Sequence, residues 1–210
     1  MLFIIIIITC IFSIKGFKDL IFFNKYKFHI QSKKKGEKYR MWSSAFLHAD
    51  YSHLFFNLFT LWVFSGAILM KLGGLYYLII YLLSLYFGNL YTLKQHKNQI
   101  LYSAVGASGA VTGIVYSSIL LFPEMKLALI FFPIPLPSYV FGLCYILYSI
   151  YGMKKNTGNI GHSAHLGGAI AGMIITILIQ PSILANQTWL VLLLLTPFII
   201  LYYDKKNSLF

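Results

Sequence analysis

Ser108 and His165 are the two side chains in this 210-residue chain best suited to covalent chemistry. The serine stands in Gly106-Ala107-Ser108-Gly109, with Gly113 four residues beyond. That segment reads as the opening of a helix, where unpaired backbone N–H groups and the positive end of the dipole favour a developing negative charge. His165 heads a run in which Gly168 and Gly172 follow at spacings of three and seven, so all three share one helical face. Two faces lined by small residues pack closely in a membrane, and that packing can bring an imidazole against a serine hydroxyl. A third cluster, His48, His53 and Asn57, adds polar groups, and His53 and Asn57 are four apart on one side of a helix. Each cluster alone has a plainer reading, as a polar clasp or a packing stripe between helices. Together they supply a nucleophile, a base and donors for an oxyanion, the parts of an acyl-transfer site.

The elements that must position these groups are membrane spans. The chain is 59% hydrophobic, 18% aromatic and 10% charged, with a mean hydropathy of +0.74, whereas about a quarter of the residues of a soluble domain are charged. Its polar breaks leave about seven apolar stretches, each near the ~20 residues that cross a bilayer. These run from Leu2 to about Phe23, Tyr51 to Met70, after Gly73-Gly74 to about Leu93, Val105 to Phe122 and Ser138 to Met153, then two more divided at Gln180-Pro181-Ser182 and Asn186-Gln187. The three prolines of Phe131 to Pro137 predict a stiff extended link. His162 is expected on the loop before the sixth span, exposed or hydrogen-bonded to a neighbour. If every span crosses, all three clusters lie at the same end of the bundle.

The charges exclude several classes. Asp19, Glu37, Asp50, Glu124 and Asp204 are the five acids, against 17 Lys and Arg, for a net charge of +12. None falls between Tyr51 and Pro123 or between Met125 and Tyr203, which leaves no intramembrane aspartyl pair and no proton relay for a pump. There is no H-E-x-x-H zinc motif, and no metal or other cofactor is called for. Cys10 and Cys144 sit in apolar runs, without the pattern of a disulfide framework. The excess lysine reads as contact with lipid headgroups instead of nucleic acid. With no acid on the fourth or sixth span, a Ser-His dyad is more economical than a triad.

Four ordered motifs carry a family resemblance. They are Gly36-Glu37-x-Tyr39-Arg40 leading to Phe46-Leu47-His48, then His53-x3-Asn57, then Gly106-x-Ser108-Gly109, then Ala164-His165-x2-Gly168-x3-Gly172. In these the chain resembles the rhomboid intramembrane serine proteases over nearly its whole length. The resemblance implies an all-α polytopic bundle, with a six-helix core over 1–180 and a seventh helix with a short basic tail over 181–210. It implies Ser108 as nucleophile and His165 as base, with His53, Asn57 and the Ser108 N–H forming the oxyanion hole. His48, Arg40, Gly106, Gly109, Gly168 and Gly172 are then supporting residues, Arg40 by ordering the connection from Lys25 to Ala49. The loop from Lys154 to Gly161 and the fifth span become the cap and gate, and the partners are single-pass transmembrane substrates and the bilayer.

The chain departs from the family pattern at Thr112, where an aromatic often stacks on the catalytic histidine, which leaves that ring's support to Thr112 or a water. Leu69 and Tyr39 replace a common Glu and a common Trp. The alternative to an active enzyme is a silent rhomboid-like protein that binds or escorts membrane proteins. The apolar start after Met1 reads as a retained span without a targeting peptide. With the lysine, isoleucine and asparagine bias, it sets the expectation of a bacterial inner membrane. Resemblance to the commonest bacterial rhomboids implies a site facing the extracytoplasmic side, although the basic residues at that end would by the positive-inside rule face the cytoplasm.

Overall fold

The apolar N-terminal run folds as helix α1 (Leu2–Lys18) and passes into the short α2 (Leu20–Tyr26) through Asp19, whose carboxylate accepts the Phe22 N–H at 2.9 Å. The structure, a computed structural model, describes residues 1–129, 132–155 and 160–207. Strand β1 (Phe28–His29), α3 (Ile30–Lys34), α4 (Arg40–Ser43) and a 3-10 turn (Ser44–Phe46) make up the basic connection. Helix α5 (Tyr51–Gln95) follows, then β2 (Ser103–Ala104), α6 (Ser108–Leu121), β3 (Lys126–Leu129), β4 (Phe132–Pro137), α7 (Ser138–Lys155), α8 (His162–Ile179), α9 (Ser182–Asn186) and α10 (Thr188–Asn207).

Helix α5 holds two of the expected spans. Gly73 breaks it at φ 81° and ψ 175°, in the left-handed region that favours a residue without Cβ. Its two ends then meet the same end of the bundle, since His53 lies against Gly106 and Thr92 Oγ1 hydrogen-bonds Ser163 Oγ at 3.0 Å. The result is an all-α helical bundle. By length and composition α5 and α8 suffice to cross a membrane, while α6 is a shorter apolar helix. That shortness fits its place, because every residue from Gly109 to Leu121 is buried and α6 runs through the middle with α5 and α8 against it.

Glycine sets how close the central helices come. A Cβ on Gly168 would overlap the Gly109 carbonyl, and one on Gly172 would overlap the carbonyl and Cα of Gly113. A Cβ on Gly88 would stand 2.7 Å from the Ala164 carbonyl oxygen, so α5 and α8 are equally tight. Buried hydroxyls tie the same helices. Ser117 donates to Gly113 O at 2.8 Å, Thr176 lies 2.7 Å from Ser117 Oγ, and Ser118 donates to Phe64 O at 2.7 Å. Such bonds each contribute about 0.6 kcal/mol on average between membrane helices, so they specify register more than they add stability.

Two pairings of extended chain were not foreseen. The proline-rich link is extended as expected, but 132–137 is one strand of a hairpin, antiparallel to β3 with Leu127 opposite Leu136; Phe131 lies outside the described residues. The second joins Phe28 to Ala104 and His29 to Ser103, fastening the basic connection to the chain that leads into Ser108.

Replacing Gly168 with Ala forces α6 and α8 apart. It should lower stability by about 1–3 kcal/mol, the usual cost of overpacking a tight interface, read as an earlier midpoint in reversible detergent unfolding. An unchanged midpoint would show that the backbone contact is not tight.

Candidate active site

Four of the expected residues line one cavity of about 490 Å³. Ser108 and Thr112 reach it from α6, His53 and Asn57 from the first turns of α5, His165 from α8, and Tyr145 from α7. The glycine contacts explain the convergence. They join α6 and α8 within a turn of Ser108 and His165, and Gly109 itself leaves 3.2 Å between a notional Cβ and the Ala164 carbonyl oxygen.

Local chemistry then orients each group. Asp50 caps α5 by accepting the His53 N–H at 2.7 Å. The His53 Nδ1 accepts the Ala49 N–H at 3.4 Å, which leaves Nε2 as the protonated nitrogen. That Nε2 stands 2.9 Å from where a Cβ on Gly106 would be, and the same point is 3.7 Å from Ser108 Oγ. Gly106 also sits at φ +123°, so backbone and space both demand glycine there. Asn57 donates one amide hydrogen to His53 O at 3.0 Å and keeps the other. Ser108 is the first residue of α6, with its own N–H among the unpaired donors of a helix start.

His48 does not reach the cavity. It is fully buried behind it, edge-on to His53 with ring centroids 4.9 Å apart. The proton order there is determined. Ser13 Oγ donates to Phe46 O at 2.9 Å, so it accepts from His48 Nδ1–H at 2.9 Å, and the bare His48 Nε2 takes the Ala107 N–H at 3.4 Å. His48 is thus a strut from α1 to the residue before Ser108. Ser13, inside an apolar run, gave no sign of this role beyond being a hydroxyl in a hydrophobic helix.

Arg40 lies farther out and holds the connection together. It pairs with Glu37 at 2.5 Å and donates to the carbonyls of Asn24 and Lys27, both at 2.8 Å. The guanidinium holds the Glu37 carboxyl below its ordinary range, chiefly through that hydrogen bond. Asn89 of α5 donates to Met41 O at 2.8 Å, and the Gly106 N–H donates to Ser44 O at 3.0 Å, so the connection braces the turn that leads into Ser108.

Tyr145 is the residue that sequence reasoning missed. Its hydroxyl is 3.0 Å from His165 Nδ1, and its ring lies over the imidazole at 5.4 Å and 30°. Nothing in the spacing of the fifth span distinguishes Tyr145 from Tyr139, Tyr148 or Tyr151. His162 also differs from expectation. It opens α8 and is buried, with its ring against Gly152 and Tyr148 and 6.0 Å from that of His165, because the start of α8 is covered by the end of α7. Residues 156–159 of the expected cap loop lie outside the described residues.

Comparison with known proteins identifies the family of the chain. A family model described as Rhomboid domain matches residues 35–182. The chain is 32% identical over 134 residues to rhomboid protein 1, mitochondrial, of Saccharomyces cerevisiae, covering 62% of this chain and 39% of that one. It is 30% identical over 173 residues to RHOMBOID-like protein 12, mitochondrial, of Arabidopsis thaliana, covering 75% and 51%. It is 31% identical over 136 residues to the human presenilin-associated rhomboid-like protein, mitochondrial, covering 62% and 35%. The match thus spans about half or less of each relative's length. These relatives overturn the expectation of a bacterial inner membrane with an extracytoplasmic site, since all three are mitochondrial proteins. Residue composition misled there because codon bias is shared by unrelated genomes.

The His48 strut carries a pH dependence. Burial, with His53 adding to it and Asp50 opposing, pushes the His48 imidazole from 6.5 down to about 3. The unfolded chain accepts a proton that the folded one refuses, so this contribution to stability is full above about pH 6.5 and is lost as pH falls toward 3. Thermal unfolding measured from pH 8 to 4 should show a falling midpoint, with a shallower fall in His48→Gln. Parallel profiles in the two proteins would remove His48 as the cause.

Proposed function

The chain belongs to the rhomboid family, and on that premise we propose that it is an active serine endopeptidase of the membrane. The observation that carries the reading is the single cavity in which Ser108, His165, His53 and Asn57 converge. In this mechanism His165 Nε2 removes the proton from Ser108 Oγ as the oxygen attacks a peptide carbonyl. The tetrahedral oxyanion is met by His53 Nε2–H, the free Asn57 amide hydrogen and the Ser108 N–H. His165 then returns its proton to the leaving amine, and water hydrolyses the acyl-enzyme through the same base.

Single-pass transmembrane proteins are the proposed substrates. A continuous helix hides each carbonyl in a hydrogen bond, so cleavage needs a segment that unwinds at small or helix-breaking residues. The cavity suits such a segment, since Phe56 and Thr60 of α5 and Phe141 and Tyr148 of α7 all line it. We assign the protease core to 1–180 and the appended helix to 181–210, and place the protein in a mitochondrial membrane on the strength of its relatives. Part of the demand for glycine at 106 is the His53 ring beside Ser108, which a Cβ would meet, and that closeness favours the enzyme over a silent escort protein.

Purified protein should label with a fluorophosphonate and cleave a helical reporter. Ser108→Ala and His165→Ala should each lower cleavage by at least about 10³-fold, and His53→Ala by roughly 10- to 10³-fold, as for a lost oxyanion donor. Wild type that neither labels nor cleaves would favour the escort reading. A fluorescent fusion in the source cell should co-fractionate with a mitochondrial membrane marker, and enrichment elsewhere would reject that placement.

A further inference from the structure

His165 is buried, and an imidazole that serves as a base needs a partner that decides which of its nitrogens carries the proton. Among the described residues the one carboxylate lining the cavity is Asp50, which caps α5 on the His53 N–H. The group beside His165 is instead a tyrosine. The Tyr145 hydroxyl lies 3.0 Å from His165 Nδ1, and the Tyr145 ring is stacked on the imidazole with centroids 5.4 Å apart and planes at 30°. That ring is itself backed. Phe141, four residues earlier on the same face of α7, stacks on Tyr145 at 6.0 Å and 17°, and the buried Phe64 of α5 stacks on Phe141 at 6.1 Å and 23°. Four rings from α5, α7 and α8 therefore form one column that ends on His165. The hydrogen bond can run in two directions, and one of them suits a base. If Tyr145 donated to Nδ1, the neutral ring would carry its proton on Nε2, which then could take none from Ser108. If Nδ1–H donates to the Tyr145 oxygen, Nε2 is bare.

We propose that Tyr145 is the positioning residue for His165, its oxygen accepting the Nδ1–H and its ring setting the plane of the imidazole, in the place a carboxylate occupies in a triad. The inference rests on the protease reading and deepens it. As Ser108 attacks, its proton passes to Nε2, and the imidazolium keeps its Nδ1–H on the Tyr145 oxygen, so no proton is transferred to the tyrosine. The stacked ring comes from α7, whereas position 112 of α6 holds a threonine. Helix α7 is tied to α6 within a turn of Tyr145, where the Tyr116 hydroxyl donates to Gly142 O.

Tyr145→Phe keeps the ring over the imidazole and deletes the acceptor, and Tyr145→Leu removes both. On a helical reporter in liposomes, Tyr145→Phe should lower kcat by about 10- to 100-fold, the range for a lost partner behind a functional histidine, with KM within about twofold. Tyr145→Leu should lower kcat further. Histidine nitrogen NMR shifts in the same liposomes, with the His165 signals identified by their loss in His165→Ala, should place the proton on Nδ1 in wild type and show both tautomers in Tyr145→Phe. A cleaving wild type that rests with its proton on Nε2, or a Tyr145→Phe enzyme with wild-type kcat, would overturn the inference and leave the protease reading standing. Equal rates for Tyr145→Phe and Tyr145→Leu would overturn the role given to the ring. If either variant fails to fold, the wild-type tautomer decides alone. A wild type without activity would remove the protease reading, and the inference with it.

Discussion

The carbonyl of Gly109 occupies the space that a side chain at 168 would need, and the carbonyl of Gly113 does the same to 172. This backbone-to-backbone approach of α6 and α8 is the constraint on which the rest depends. In lipid there is no hydrophobic drive to push helices together, so their separation is set by side-chain size and by hydrogen bonds that reach across. Glycine on both faces lets the helices close, and Ser117 and Thr176 then become long enough to bond across the interface. Closure one turn deeper brings the beginnings of the two helices together, where Ser108 and His165 stand.

The remaining elements hold the surroundings of that contact. Helix α1, whose sequence promises only a hydrophobic span, contributes Ser13 to the strut through His48 to Ala107. The basic connection, tied inward by Arg40 and fastened by the β1–β2 pairing, carries Ser44 to the Gly106 N–H. Among the described residues helix α10 contributes none to the cavity lining, yet it contacts α7 at both ends, where Tyr139 meets Trp189 and Lys154 pairs with Asp204. An exposed pair such as Lys154–Asp204 is worth about 0–1 kcal/mol alone, and its service is alignment more than stability.

Much of this was legible in the residues. Hydropathy marked the spans, since Gly73 and the lysine-rich breaks interrupt apolar runs in ways that backbone geometry and lipid must respect. The glycine spacings, and His53 with Asn57 four apart, placed the polar groups on definite faces because an α-helix has one period. Tyr145 and Ser13 were not legible. One tyrosine among several on α7 and one serine among isoleucines acquire a role only from which neighbour the bundle sets beside them. The hairpin of β3 and β4 was hidden for a related reason, as prolines announce extended chain but not the strand it pairs with.

The sequence by itself determined that this chain is a membrane-embedded helical bundle of the rhomboid family, and which serine, histidines and asparagine are fit for chemistry. Those properties are local, written in composition, helical period and short motifs. Only the tertiary structure decided that His48 gives its support by bridging Ser13 to Ala107, that His162 is buried, and that a tyrosine from the fifth span meets the imidazole of the sixth. Hydrogen bonds between side chains 20 or 35 residues apart, such as Tyr145 to His165 and Ser13 to His48, depend on how rigid helices are rotated against each other. That rotation is fixed by packing summed over the whole bundle, which no single stretch of residues encodes.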